Sequence, residues 1–293
     1  MSSTATATAS ATATAATRLI APPAALASCV RAYVVRSTVE APLANPGARF
    51  NHFPATPFCS ISFYIEGEAE VVQPPDWPSG PRVVFCGPQT RPMLTYNPGP
   101  VRLFIVLFYP QALQAMSGID LAAWVDRAAP VGEALGARWA AMAEAVLAGA
   151  DDAARLAAFE ELARPLWQAA RPSGVADTAR DWVRQLAWQA AGSALGRGVH
   201  RGVRSVERRI KARAGQPLGV LLRRQRAEQT FFDARDAFLA GRLVWSDVAA
   251  RGGYSDQAHF CRDAREVTGH TPAELVRALG AGDERYWIYR IWT

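Results

Sequence analysis

The spacing of apolar residues changes once along this chain, at Pro110, and that change limits the folds open to it. Before Pro110, short runs rich in Val, Ile, Phe and Tyr (residues 32–39, 58–66, 82–86 and 101–109) alternate with Pro/Gly clusters at residues 73–81 and 97–100. Such runs at such intervals predict strands of a sandwich or small barrel. After Pro110, Leu121, Trp124 and Val125, then Leu135, Trp139, Met142 and Val146, then Leu156, Phe159, Leu162 and Leu166 recur at three and four residues. That is the period of amphipathic helices. The expectation is an α+β chain: a β-rich barrel or sandwich over residues 18–130, a helical brace over 131–173, and an all-α unit over 174–280. Arg171-Pro-Ser-Gly174 marks the boundary, because Pro and Gly interrupt the helical pattern there. Residues 1–17 alternate Ala, Thr and Ser and read as a disordered leader; residues 281–293 form a strongly aromatic tail, which predicts packing against a domain or a partner subunit.

Half of the 293 residues are hydrophobic and 20% are charged, as in ordinary globular chains. No run of about 18 uncharged apolar residues occurs, so no membrane helix is expected. Cys29, Cys59, Cys86 and Cys261 stand far apart without a C-x-x-C pair, which fits a reducing, cytoplasmic setting and removes the usual signature of structural zinc. The net charge is +6, and it is concentrated: residues 177–279 carry 18 basic and 11 acidic side chains, while the rest is close to neutral. Residues 197–226 hold ten basic groups against Glu207 alone. Double-stranded DNA would offset that repulsion, and a solvated face in an arginine-rich chain would also account for it.

Enzyme signatures are missing from the sequence. There is no G-x-S-x-G, no phosphate loop, no G-x-G-x-x-G and no H-E-x-x-H. His52 is the one histidine in the β region, too few for a metal-binding barrel, and reads as a surface or packing residue. Glu66, Glu68 and Glu70 read as a solvated face, and Cys59 and Cys86 as small core residues. The chain is therefore expected to be no enzyme, and to hold no cofactor or metal.

Residues 244–275 are the most informative. Val244, Val248 and Ala249 make the apolar stripe of one short helix, Gly252-Gly253 a turn, Ser255 or Asp256 a cap, and Phe260, Ala264 and Val267 the inner face of a second helix. Gln257, Ala258, Cys261 and Arg262 then share its outer face, where a helix-turn-helix presents side chains to the major groove. Gly253-Tyr254-x-Asp256-x-x-His259-Phe260-x-Arg262 followed by Gly269-x-Thr271-Pro272 resembles the C-terminal signature of the AraC/XylS family of bacterial transcription regulators. The resemblance implies two helix-turn-helix motifs joined by a long helix. Asp263-Ala264 departs from it, since the family usually has an aromatic residue at the second position, and Ala264 predicts a thin local core.

By that plan residues 203–211 look like a first recognition helix, residues 215–217 its exit and residues 218–240 the connecting helix. Arg204, Glu207 and Arg208 share a face and are candidates for reading bases, while Lys211, also a DNA-contact candidate, is better placed for the backbone, as are Arg201, Arg209 and Arg213 for phosphates. Gly196, Gly198 and Gly202 weaken the preceding scaffold segment. The N-terminal half resembles, more weakly, the cupin-like sensor domains attached to one branch of that family, here without metal-binding histidines. That implies sensing of a small-molecule effector or homodimerisation. Trp77, Arg91, Met93 and Tyr96 are candidates for lining an effector pocket, although core packing explains such residues more often. Two readings stay open: a sequence-specific DNA-binding transcription regulator, and a protein-interaction or small-molecule-binding module with a degenerate DNA-binding domain.

Overall fold

A computed structural model describes residues 15–74, 80–171 and 203–291. The first part is β-rich, with strands β1 (Ala16–Ile20), β2 (Val30–Ser37), β3 (Phe50–Phe53), β4 (Cys59–Glu66), β5 (Glu70–Gln73), β6 (Val83–Cys86), β7 (Met93–Tyr96), β8 (Arg102–Phe108) and β9 (Ala128–Pro130). They form two antiparallel sheets, one of six strands in the order β1-β2-β8-β4-β6-β9 and one of three in the order β3-β7-β5. Among the described residues there is no closed barrel, because β1 and β9 end the larger sheet without pairing with each other. Of the expected disordered leader, residues 1–14 lie outside the described residues, and Ala16 and Thr17 instead begin β1, opposite Ser37 and Arg36. Thr is at home in a strand, so an Ala/Thr pattern by itself does not separate an edge strand from a leader.

Alternation along the central strands buries both faces of the large sheet. Phe104, Val106 and Phe108 of β8, Tyr33 and Val35 of β2, and Ile61 and Phe63 of β4 enter one core. Leu103 and Ile105 of β8 and Val34 of β2 enter another on the opposite face. A side-chain period of two makes this division automatic once the register is set.

Helices close the first face: α1 (Pro110–Ser117), α2 (Val131–Leu135), α3 (Ala137–Leu147) and α4 (Asp152–Ala170). Trp139, Met142 and Val146 of α3 and Phe159, Ala163 and Leu166 of α4 are buried against the strands, with Phe159 edge-on to both Tyr33 and Phe108. Leu162 was expected on that face and is 39% exposed; Ala163, the next residue, takes the inward position, while Leu156, Phe159 and Leu166 face the core as expected. Leu121 and Trp124, read as part of an amphipathic helix, lie in a short 3-10 turn, Leu121–Trp124.

The second part comprises α5 (Val203–Ala214), α6 (Leu218–Leu239), α7 (Trp245–Arg251), α8 (Gln257–Thr268), α9 (Pro272–Gly280) and α10 (Trp287–Arg290). It is not an independent lobe. Ile210 and Ala214 of α5 and Leu221 of α6 belong to the same core as the brace, and Gln114 of α1 donates to the Ala212 carbonyl at 2.9 Å. The aromatic tail packs on the other face of the sheet, as its composition predicts. There the Trp287 indole donates to Asn51 Oδ1 at 2.9 Å, and the Arg36 guanidinium stacks over the Trp287 ring at 4.7 Å while pairing with Glu284 at 3.0 Å. His52 lies parallel to Tyr286, with ring centroids 4.6 Å apart, and its Nδ1 is 3.2 Å from His270 Nε2. His52 is thus the packing residue its setting suggests, but its neighbours come from the far end of the chain.

Phe159→Ala should lower the free energy of unfolding by about 3–5 kcal/mol, because a large side chain is removed from a closed core; urea denaturation followed by circular dichroism reads this directly. The histidine contact gives a pH dependence of defined sign. Burial, His270 and Arg285 hold His52 down to about 4, against the opposing pull of Asp283, and burial lowers His270 as well. The folded state therefore favours neutral His52, a contribution fully present above the ordinary value of 6.5 and lost as pH falls toward about 4. The urea midpoint should decline across that window and decline less in His52→Phe; equal declines in the two chains would refute the assignment.

Candidate nucleic-acid interface and interdomain cavity

The turn between α7 and α8 shows what each signature residue does. Gly252 lies so close to the Thr230 side chain of α6 that a Cβ would collide with it, and Gly253 has φ +73°, a conformation that glycine adopts without strain. Asp256 caps α8 by accepting from the His259 amide at 2.7 Å, which holds its carboxyl below the usual carboxylate range. Tyr254 and Phe260 pack together beneath the turn, and Arg226 of α6 stacks on Tyr254 at 4.4 Å while pairing with buried Asp263 at 3.2 Å. Gly269 ends α8 at φ +78°, and Thr271 with Glu274 forms a reciprocal capping box at the start of α9, where Pro272 occupies the first turn. Gly253, Tyr254, Asp256, Phe260, Gly269, Thr271 and Pro272 of the motif thus serve the geometry of the turn and of the helix ends.

With Phe260, Ala264 and Val267 buried, α8 turns Gln257, Ala258 and Arg262 to solvent, and Cys261 is partly exposed beside them. The four candidates therefore lie on one accessible face. On α5, Glu207, Arg208 and Lys211 are exposed and Arg213 is half-buried. Arg204 and Arg209 fall within α5, and nothing is described of their side chains. Arg201, Gly196, Gly198 and Gly202 lie outside the described residues, as does the scaffold segment of the first motif.

Behind this surface, between the second face of the large sheet and the helical part, is a cavity of about 240 Å³. Its floor alternates as the strands do, with Ser60, Ser62 and Tyr64 from β4 beside Leu103, Ile105 and Leu107 from β8. Its roof runs along α6 from Leu221 to Phe232 and includes Ile288 and Tyr289 of α10. At one end Arg31 pairs with Glu228 at 3.3 Å and stacks over Phe58 at 4.4 Å. Nearby, buried Arg224 donates to the carbonyls of Gln89 at 2.7 Å and Thr90 at 2.9 Å and to Gln216 Oε1 at 2.6 Å, joining α6 to the loop after β6. Asp126 accepts from the amide and hydroxyl of Thr90 and completes that junction. The Ala55 amide adds a backbone bond to the Val267 carbonyl at 2.7 Å.

Of the residues expected at an effector pocket, Met93 lines this cavity. Arg91 is exposed, Tyr96 packs on Phe50 with centroids 5.0 Å apart, and neither is among the lining residues. Trp77 lies outside the described residues. Arg224, Phe231 and Tyr289 were not expected there, because a pocket shared by segments some 200 residues apart leaves no local pattern. Ala264 was read as thinning the core, and it does border the cavity. The small side chain leaves room there, next to Val267 and Thr268.

No curated protein sequence matches the chain. Residues 18–130 match the model of a family described as "Domain of unknown function (DUF6597)". Among solved structures, ToxT from Vibrio cholerae O395 aligns at 9% identity over 79% of this chain and 94% of that one, with a TM-score of 0.38. The same protein bound to (E)-4-(8-methylnaphthalen-1-yl)but-3-enoic acid aligns at 9% identity over 79% and 96%, with a TM-score of 0.37. The AraC-like transcriptional activator CuxR aligns at 14% identity over 83% of each chain, with a TM-score of 0.26. The feature of this chain that resembles AraC/XylS regulators is the helix-turn-helix signature from Gly253 to Pro272.

Proposed function

We propose that this protein is a sequence-specific DNA-binding transcription regulator of the AraC type, without a chemical step, whose β-rich domain and DNA-binding helices share an effector cavity. The observation that carries the reading is the α7–turn–α8 unit: a helix fixed by its inner face and both caps, with Gln257, Ala258 and Arg262 exposed on the other side. A recognition helix needs that combination of rigid seating and a polar accessible face. The excess of basic groups across residues 177–279 supports it, since phosphate neutralisation supplies the sequence-independent share of affinity.

In this reading Gln257 and Arg262 of α8, with Ala258 and Cys261 beside them, meet one stretch of major groove. Arg204, Glu207, Arg208 and Lys211 of α5 meet a second. Arg201, Arg209 and Arg213 serve the phosphates. The effector acts by differential affinity: because both parts of the chain wall the cavity, a molecule filling it favours the arrangement in which those walls stand at the right separation. The cavity walls favour an apolar small molecule. A regulator of this kind works in the cytoplasm; no helix among the described residues is long and apolar enough to cross a membrane.

Selection of duplexes from a random pool by the full-length protein, near physiological salt, should return a defined site with two adjacent major-groove elements. Arg208→Ala and Arg262→Ala should each weaken binding to it by about 1–3 kcal/mol, and binding should fall steeply with added salt. Unchanged affinity in both variants would remove these base-reading roles, and no duplex binding at all would favour a protein-interaction module instead.

A further inference from the structure

The floor of the cavity carries a polar stripe between aliphatic neighbours. Ser60, Ser62 and Tyr64 alternate along β4 and so share the face that lines the cavity. Their register partners on β8, Leu107, Ile105 and Leu103, line it with hydrocarbon. Most hydroxyls of the lining are bonded within the protein. Thr56 accepts from the Phe58 amide, Thr95 accepts from Asn51, Thr268 donates to the Ala264 carbonyl, and Ser60 bonds the Cys86 thiol. The Tyr289 hydroxyl has essentially no accessible surface and is closed to a ligand. Ser62 and Tyr64 differ from all of these. Both residues are partly exposed, both oxygens are accessible, and neither hydroxyl has a hydrogen-bond partner among the described residues. Burial raises the pKa of Tyr64, so its hydroxyl stays protonated and able to donate. Alanine or valine at 62 and phenylalanine at 64 would complete the same floor without withdrawing two hydroxyls from bulk water.

The rest of the wall defines what these two hydroxyls would hold. Its charged groups already have partners: Arg31 pairs with Glu228, and Arg224 donates to Gln89, Thr90 and Gln216, with Asp126 close enough to favour its charge. An ionic ligand would therefore be buried without a counter-charge of its own, which is unfavourable. A dry apolar cavity of about 150 Å³ accepts benzene, so about 240 Å³ has room for a bicyclic molecule. We propose that Ser62 and Tyr64 form the polar end of the effector site: the ligand is an uncharged, largely apolar molecule with a carbonyl-type oxygen, to which the Tyr64 hydroxyl donates, with Ser62 as a second donor. A carbonyl oxygen has two lone pairs and can accept from both. This rests on the reading of the cavity as an effector site and adds to it the ligand's polar group and the residues that recognise it. Both donors belong to the sheet, whereas Phe231, Phe232 and Ile288 on α6 and α10 are apolar. The oxygen thus fixes the ligand to the β-rich part while its apolar body bears on the DNA-binding helices.

The test compares two probes of nearly equal shape, 2-acetylnaphthalene and 2-ethylnaphthalene, titrated calorimetrically into the full-length protein, Tyr64→Phe and Ser62→Ala. The ratio of the two affinities cancels what the naphthalene body contributes. That ratio should shift against the ketone by about fivefold in Tyr64→Phe and in the same direction in Ser62→Ala, with 2-ethylnaphthalene staying within about twofold of its original affinity. The infrared carbonyl stretch of the bound ketone should lie below its position in hexane and move back up in Tyr64→Phe. Thermal stability without ligand should be equal or higher in Tyr64→Phe, since its hydroxyl has no bond to lose. Binding of both probes with a ratio unchanged by Tyr64→Phe, a parallel loss for both, or a marked loss of stability in that variant would overturn the assignment and leave the cavity as an effector site. If neither probe binds the original protein, the effector-site reading fails and the assignment falls with it. The duplex-binding results for Arg208→Ala and Arg262→Ala stand apart from both outcomes and decide the regulator reading separately.

Discussion

The interaction on which the rest depends is the seating of Trp287 on the β-rich part. Its indole donates to buried Asn51 and its ring lies under the buried Arg36 guanidinium, which Glu284 partly neutralises. A guanidinium that is 2% exposed is unfavourable without compensation, and here the carboxylate and the aromatic face supply it together. Neither partner is available without the tail, so the sheet's second face and the end of the chain complete one another. Tyr286, Ile288 and Tyr289 then fall into place around that anchor, His52 finds Tyr286 and His270, and the cavity acquires its roof.

The helix-turn-helix unit was legible in the sequence because its constraints are local. Gly253, Asp256, Phe260, Gly269, Thr271 and Pro272 each meet a requirement set by residues within one or two turns: a positive φ, a cap, an inward side chain, a helix stop. The long strands were legible for the same reason, since β2, β4 and β8 are consecutive runs rich in Val, Ile, Phe and Tyr. The short strands β3, β5 and β7 hold only four residues each, too few to establish a period, and their runs include Asn51, His52 and Glu70. Leu162 shows a different limit: in an alanine-rich helix a small residue, here Ala163, can take an inward position while the neighbouring leucine is left to solvent.

The candidate site divides along the same line. The exposed face of α8 could be read from spacing alone, whereas the cavity could not, because its walls come from β4, β8, α6 and α10 and meet only when the chain closes on itself. Arg224 illustrates the difficulty. In the sequence it is one of ten arginines and lysines in a basic run and suggests a phosphate contact; in the fold it is buried, with its donors on Gln89, Thr90 and Gln216. Charge composition marks the basic segment and does not tell which of its members face outward. The aromatic tail gave the one sequence signal of the interface, through the cost of leaving so much apolar surface at the end of a chain in water.

The seat of α5 bears on how such a chain can be recombined in evolution. Ile210, Ala214 and Leu221 contribute to the core that also contains Leu121, Trp139 and Phe159, so the seam between the β-rich part with its brace and the C-terminal helices runs through a packed interior. A sensor exchanged for another at the Pro/Gly break near residue 174 would leave that apolar face of α5 uncovered. Replacement would succeed only with units whose brace presents a matching surface to Ile210 and Ala214.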